Sequence, residues 1–131
     1  MKFHPNELFF LYNASSTYSR QTLAYAYTLT KHVQVHDVRQ DPFTTTIWRE
    51  ILTRLDCTAK DLLNRAHRDY QRTIAGGNYD EEAWLYILMH NPHLIRYPIA
   101  IFGSKAVLCK SPTDILKLRD TKLRVEPLAT V

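Results

Sequence analysis

The sequence predicts an α/β domain built on a mixed four-stranded sheet flanked by helices. Two observations carry this. Residues 7–38 read as strand, helix, strand, and residues 99–119 read as two strands and a helix, with helical segments between the two blocks. The first block joins a parallel pair through a right-handed crossover. The second is a hairpin, which adds antiparallel strands.

Glu7 to Asn13 is a short apolar, aromatic run of the kind that forms a buried strand. The small hydroxyl residues from Ala14 to Arg20 then cap a helix, which Leu23, Tyr27 and Thr30 carry at helical spacing to about His32. Val33 to Val38 alternates as a half-buried strand, and Asp41-Pro42 breaks the chain. Thr46 to Leu55 places Ile47, Ile51, Leu52 and Leu55 on one helical face, and Thr58 caps a short helix over Ala59 to Asn64. The polar stretch from Arg65 to Gly77 reads in part as a loop. Asn78 or Asp80 opens a further helix with acids at its positive end and Trp84, Leu85, Leu88 and Met89 facing inward, until Asn91-Pro92 stops it. Ile99–Phe102 and Ala106–Leu108 flank Gly103-Ser104-Lys105 as a hairpin, and Ser111-Pro112-Thr113-Asp114 starts the last helix. Without its central helices this is the thioredoxin topology. One domain over residues 1–131 is expected, with its core over about 7–120 and a tail over 121–131.

The composition excludes several function classes. At 131 residues, 45% of them hydrophobic, the chain buries a sizeable core without a disulfide or metal staple. No apolar run approaches the roughly 20 residues of a membrane span, and the first residues carry no apolar signal core, so no membrane contact and a cytoplasmic location are expected. Net charge is +4 from dispersed lysines and arginines, which favours an anionic partner but gives no direct nucleic-acid signal. Cys57 and Cys109 lie in no metal-binding spacing and read as free thiols. His32 and His36 straddle a helix end and a strand, and His90 and His93 read as surface or capping residues. No metal site and no cofactor are expected. Tyr12, Tyr18, Tyr25, Tyr27, Trp84 and Tyr86 read as core and its margin.

Three segments together resemble the arsenate reductase (ArsC) and Spx family. Tyr12-Asn13-Ala14-Ser15-Ser16-Thr17-Tyr18-Ser19-Arg20-Gln21-Thr22-Leu23 is similar to that family's strand end, active-site loop and helix start. Asn91-Pro92-His93-Leu94-Ile95-Arg96-Tyr97-Pro98-Ile99 is similar to its Leu-Ile, Arg-Pro-Ile segment, and Gly103 through Asp114 to its hairpin, basic residue and proline-containing helix start. The resemblance implies a thioredoxin-like fold and places the family's attacking cysteine at Ser16. It also implies a cis peptide bond before Pro98, the structural proline of the site.

The departures from the family pattern shape the functional expectation. A thiol at a helix N-terminus ionises readily, whereas serine is far less acidic and forms no mixed disulfide. Two of the family's three anion-binding arginines fall at Asn64 and Tyr97, with Arg65 and Arg96 one position away, and a one-residue offset in extended chain turns a side chain to the other face. Lys110 keeps the third basic position. Ser16 therefore argues against arsenate reduction. The expectation is a redox-inactive, arsenate reductase-like or Spx-like pseudoenzyme that binds a protein. Spx members bind RNA polymerase, so the resemblance makes polymerase a partner to consider. The alternative is a diverged oxidoreductase relative that binds a small oxyanion or glutathione. Its anion-binding candidates are Ser15, Ser16, Thr17, Arg20 and Lys110, since backbone N–H groups at a helix start favour anions. A third reading moves the thiol chemistry to Cys57 or to Cys109 beside Lys110.

Overall fold

Leu8–Tyr12 forms β1, the second strand of a four-stranded sheet of order β2-β1-β3-β4. β2 (Val33–Asp37) runs parallel to β1, with Phe10 opposite Val35. β3 (Ile99–Phe102) runs antiparallel to β1, with Phe10 opposite Ala100, and β4 (Lys105–Leu108) runs antiparallel to β3. The mixed sheet expected from the sequence is the one observed. The structure, a computed structural model, describes residues 3–4, 6–13, 16–40 and 42–119. The expected tail over 121–131 and the candidate Ser15 lie outside the described residues.

The chain divides into two compact units. One comprises Met1–Asp37 and the chain from Tyr97 onward, the other Val38–Arg96. The first unit holds the sheet. Side chains alternate faces along a strand, so Leu8 and Phe10 share one face. They pack with Ala26, Ala100, Cys109, Ile115 and Leu118 in a buried cluster. Phe9, Leu11, Ile99 and Ile101 point to the other face and are buried as well.

Helix α1 (Thr17–Leu29) buries Ser19, Thr22 and Ala26, a face of small residues. The buried Thr22 hydroxyl is satisfied by donating to the Tyr18 carbonyl at 3.0 Å. Tyr25 and Tyr27 are exposed, which corrects their reading as core margin. Ala26 of that small face shares the buried cluster with Leu8, Phe10 and Ala100. In the hairpin, Gly103 stands at φ +63, the conformation that the first position of a two-residue loop of this kind requires and that glycine adopts without strain. Lys105 already pairs with Phe102, so β4 begins one residue earlier than expected. Ser111 and Asp114 form a capping box at the 3₁₀ turn Pro112–Leu116.

The second unit is helical. Helix α2 (Thr45–Leu55) is capped by Thr44, buries Trp48 and Ile51, and ends at Asp56 in the left-handed region with φ 55. A 3₁₀ turn over Ala59–Leu62 follows, with the Thr58 N–H donating to Asp61 Oδ2 at 2.9 Å. Helix α3 (Arg68–Thr73) occupies part of the stretch read as loop. Helix α4 (Glu81–His90) is capped by Asp80 and buries Leu85 and Leu88, and a 3₁₀ turn over Pro92–Leu94 ends the unit. Tyr86, read as core margin, is exposed and stacks on His90 instead, at 3.9 Å between ring centres. None of the described helices is long and apolar enough to cross a membrane.

Candidate functional site

The start of α1 is built by Ser16. Its backbone is extended and its Oγ accepts the Ser19 N–H at 3.2 Å, so the hydroxyl is engaged in capping. No acidic side chain lies in the first turn. Arg20 is exposed there and donates from Nη2 to Thr17 Oγ1 at 3.1 Å. Ser16, Thr17 and Arg20 are thus brought together around one helical turn.

Tyr18 ties this turn to the end of the sheet. Its hydroxyl donates to the Cys109 carbonyl, and the Cys109 N–H donates to the Pro98 carbonyl at 2.8 Å. The Tyr97 ring meets Tyr18 edge-on, with centres 6.5 Å apart. The peptide bond before Pro98 is trans, since no cis bond occurs among the described residues. This corrects the expectation drawn from the resemblance. An X–Pro bond prefers trans by about 0.5–1 kcal/mol unless its surroundings select cis, and here the trans form leads into β3 with the Pro98 carbonyl satisfied by Cys109. Lys110 is exposed, one residue beyond Cys109.

Neither thiol is prepared for chemistry. Burial pushes the Cys109 thiol up to about 12, with Asp114 adding to the effect and Lys117 opposing it. Its neighbour Lys110 is not among the groups that lower it, which counts against a thiol activated by that lysine. Cys57 is raised to about 11, chiefly by burial and then by Asp61 and Asp56. Burial, followed by Cys109, Asp114 and Tyr97, raises Tyr18 to about 12.

These shifts fix a pH dependence. All three groups have folded values above their unfolded ones, 9.0 for the thiols and 10.0 for Tyr18. Their contribution to stability is complete below the unfolded values and is lost as pH rises through the folded ones. The urea midpoint should therefore fall between pH 9 and 12. Tyr18→Phe should flatten that fall above pH 10, while lowering stability at neutral pH by about 1 kcal/mol for the lost hydrogen bond. Equal slopes in the two proteins would show that Tyr18 ionises as freely in the fold as outside it.

A Yersinia pestis protein assigned as an arsenate reductase superposes with a TM-score of 0.78 at 23% identity, over 85% of this chain and 99% of the other. An arsenate reductase from Vibrio cholerae gives 0.73 at 15% identity, over 87% and 98%. An arsenate reductase (ArsC) related protein from Brucella melitensis gives 0.61 at 12% identity, over 88% and 97%. The chain has the arsenate reductase fold. No sequence family model matches it, and no curated protein matches it by sequence. At these identities the likeness is one of fold, and fold alone leaves function to the site.

The arsenate reductase-like fold carries two further features in its helical unit. The first is an open groove of about 870 Å³ whose lining includes Cys57, Lys60, Tyr79 and Trp84. Tyr79 meets Trp84 edge-on at 5.0 Å, and Lys60 Nζ stands 5.3 Å from the Trp84 ring centre. The second is a cluster of His67, Asp69 and His93, whose ligand atoms all lie within 4.8 Å of one another. His67 Nδ1 accepts the Asp69 N–H at 3.0 Å and so caps α3, and His93 Nε2 donates to Asp69 Oδ2 at 2.9 Å. The hydrogen bond from His93 is the main cause holding the Asp69 carboxyl below its ordinary value.

Sequence reasoning missed this cluster because His93 lies 24 residues from Asp69 and because α3 itself was hidden. The signal for α3 was Tyr70 and Ile74, four apart and both buried, with Asp69 in the first turn. Arg96 is exposed while Tyr97 is half-buried, and Asn64 uses its Oδ1 to accept the Ala66 N–H at 3.1 Å.

Proposed function

We propose that this chain is a redox-inactive relative of the arsenate reductases that acts by binding a protein partner. The observation that carries the reading is the state of its nucleophiles. Serine stands at the start of α1 with its hydroxyl spent on capping, and both thiols are held neutral by burial. A chain so arranged retains a surface and a scaffold but no thiol poised to attack. The resemblance to Spx makes RNA polymerase the first partner to test.

The purified chain should give no arsenate-dependent oxidation of a thiol reductant, and it should co-elute with purified RNA polymerase on size-exclusion chromatography. Turnover of arsenate would refute the redox-inactive reading, and separate elution would refute polymerase as the partner. A second reading, a small-oxyanion or glutathione site at the α1 start, is favoured by Arg20 in a first turn that has no acid. Thermal-shift titration with arsenate, phosphate, sulfate and glutathione separates the two readings. A stabilisation lost in Arg20→Ala supports the second, since a ligand that binds only the folded state raises its stability.

A further inference from the structure

We propose that His67, Asp69 and His93 form a site for a divalent transition metal of the zinc type, with water completing the coordination. Two imidazoles and one carboxylate are the donor set of an open zinc centre, in which three protein ligands leave a position for water. Nitrogen donors select first-row transition ions over calcium and magnesium, which take oxygen ligands.

The fold brings the three residues together and fixes them there. Leu63 and Ile95 form an antiparallel bridge, reinforced by Asn64 N–H to the Leu94 carbonyl at 2.7 Å and Arg96 N–H to the Leu62 carbonyl at 3.0 Å. This bridge holds the turn that carries His93 beside the segment that leads into α3. His67 and Asp69 then enter the cluster from the start of that helix. The His67 and His93 rings meet edge-on with centres 5.4 Å apart. All three residues are half-buried, so an ion can enter and keep a water ligand.

Binding rearranges two hydrogen bonds. His93 Nε2–H now donates to Asp69 Oδ2, and an ion that takes both atoms replaces that proton, which moves to Nδ1 or to solvent. His67 Nδ1 now accepts the Asp69 N–H, so its neutral ring carries its proton on Nε2. Coordination through either ring nitrogen therefore releases the Asp69 amide. The first turn of α3 loosens as the ion binds, and that change is separately observable.

The test is titration of zinc chloride into the untagged full chain by calorimetry. One equivalent should bind, and the Asp69 amide should exchange faster with zinc present. Asp69→Asn, His67→Gln and His93→Gln should each weaken binding by about tenfold or more, while His90→Gln binds as wild type does. Circular dichroism identifies any variant that fails to fold. Cobalt(II) supplies a second reading that does not depend on calorimetry: it should give visible absorption bands of low coordination number that are lost in His93→Gln. Absence of binding up to about 1 mM zinc, or binding unchanged in all three ligand variants, would overturn the proposal.

Discussion

Replacing Ser16 by cysteine is expected to create the most reactive thiol in the protein. The position caps a helix of thirteen residues with no acid in its first turn. Aligned N–H groups there stabilise a thiolate, and thiols in such places or beside cations have pKa values of roughly 3.5–7.5. Cys57, at about 11, is only about one part in 10⁴ thiolate at neutral pH. A gain of about 10⁴ in thiolate is offset by a loss of about 10² in intrinsic nucleophilicity, since the more acidic thiolate attacks more weakly. Alkylation at the new thiol should therefore run about 100-fold faster than at Cys57, as read by mass spectrometry after iodoacetamide labelling at pH 7. Labelling no faster than at Cys57 would mean that the α1 start does not stabilise an anion. The expected fast labelling and the oxyanion reading would then fall together, because they rest on the same helix terminus.

Phe10→Ala should cause the largest loss of stability. Phe10 is fully buried at the centre of β1, opposite Val35 on one side and Ala100 on the other. Its side chain belongs to the cluster with Ala26, Ile115 and Leu118 that joins α1 and the last 3₁₀ turn to the sheet. Truncation removes the ring from a site closed on every side by strand, helix and turn, so the cavity cannot collapse. The expected cost is about 3–5 kcal/mol, read from the urea midpoint at constant slope. Tyr27→Ala, at a side chain that is 51% exposed, serves as the control and should stay within about 0.5 kcal/mol. A loss at Phe10 no larger than that control would remove β1 as the centre of the core.

Much of the fold was legible because its signals are local. The apolar run Leu8-Phe9-Phe10-Leu11 has no polar position to expose, so it reads as a strand buried on both faces, and it is one. Ser16 and Asp80 each mark a helical start three residues before the N–H group their side chains accept, and Ser111 with Asp114 marks the last turn. Gly103 marked the hairpin. Helix α3 escaped because it is six residues long, shows one buried i, i+4 pair and is capped by a histidine in place of the usual serine, threonine or aspartate. Tyr25 and Tyr27 are apolar in character yet exposed, because the buried face of α1 is formed by Ser19, Thr22 and Ala26.

The sequence by itself determined the strands, their caps and turns, and the serine that stands at the start of α1. Each of these depends on groups a few residues apart, where periodicity and hydrogen-bonding reach suffice. Only the tertiary structure decided that Cys109 is sealed and held neutral, that Tyr18 binds the Cys109 carbonyl, that the bond before Pro98 is trans, and that His93 meets Asp69 and His67. Burial and proximity of this kind sum over residues far apart in the chain, and no local pattern encodes them.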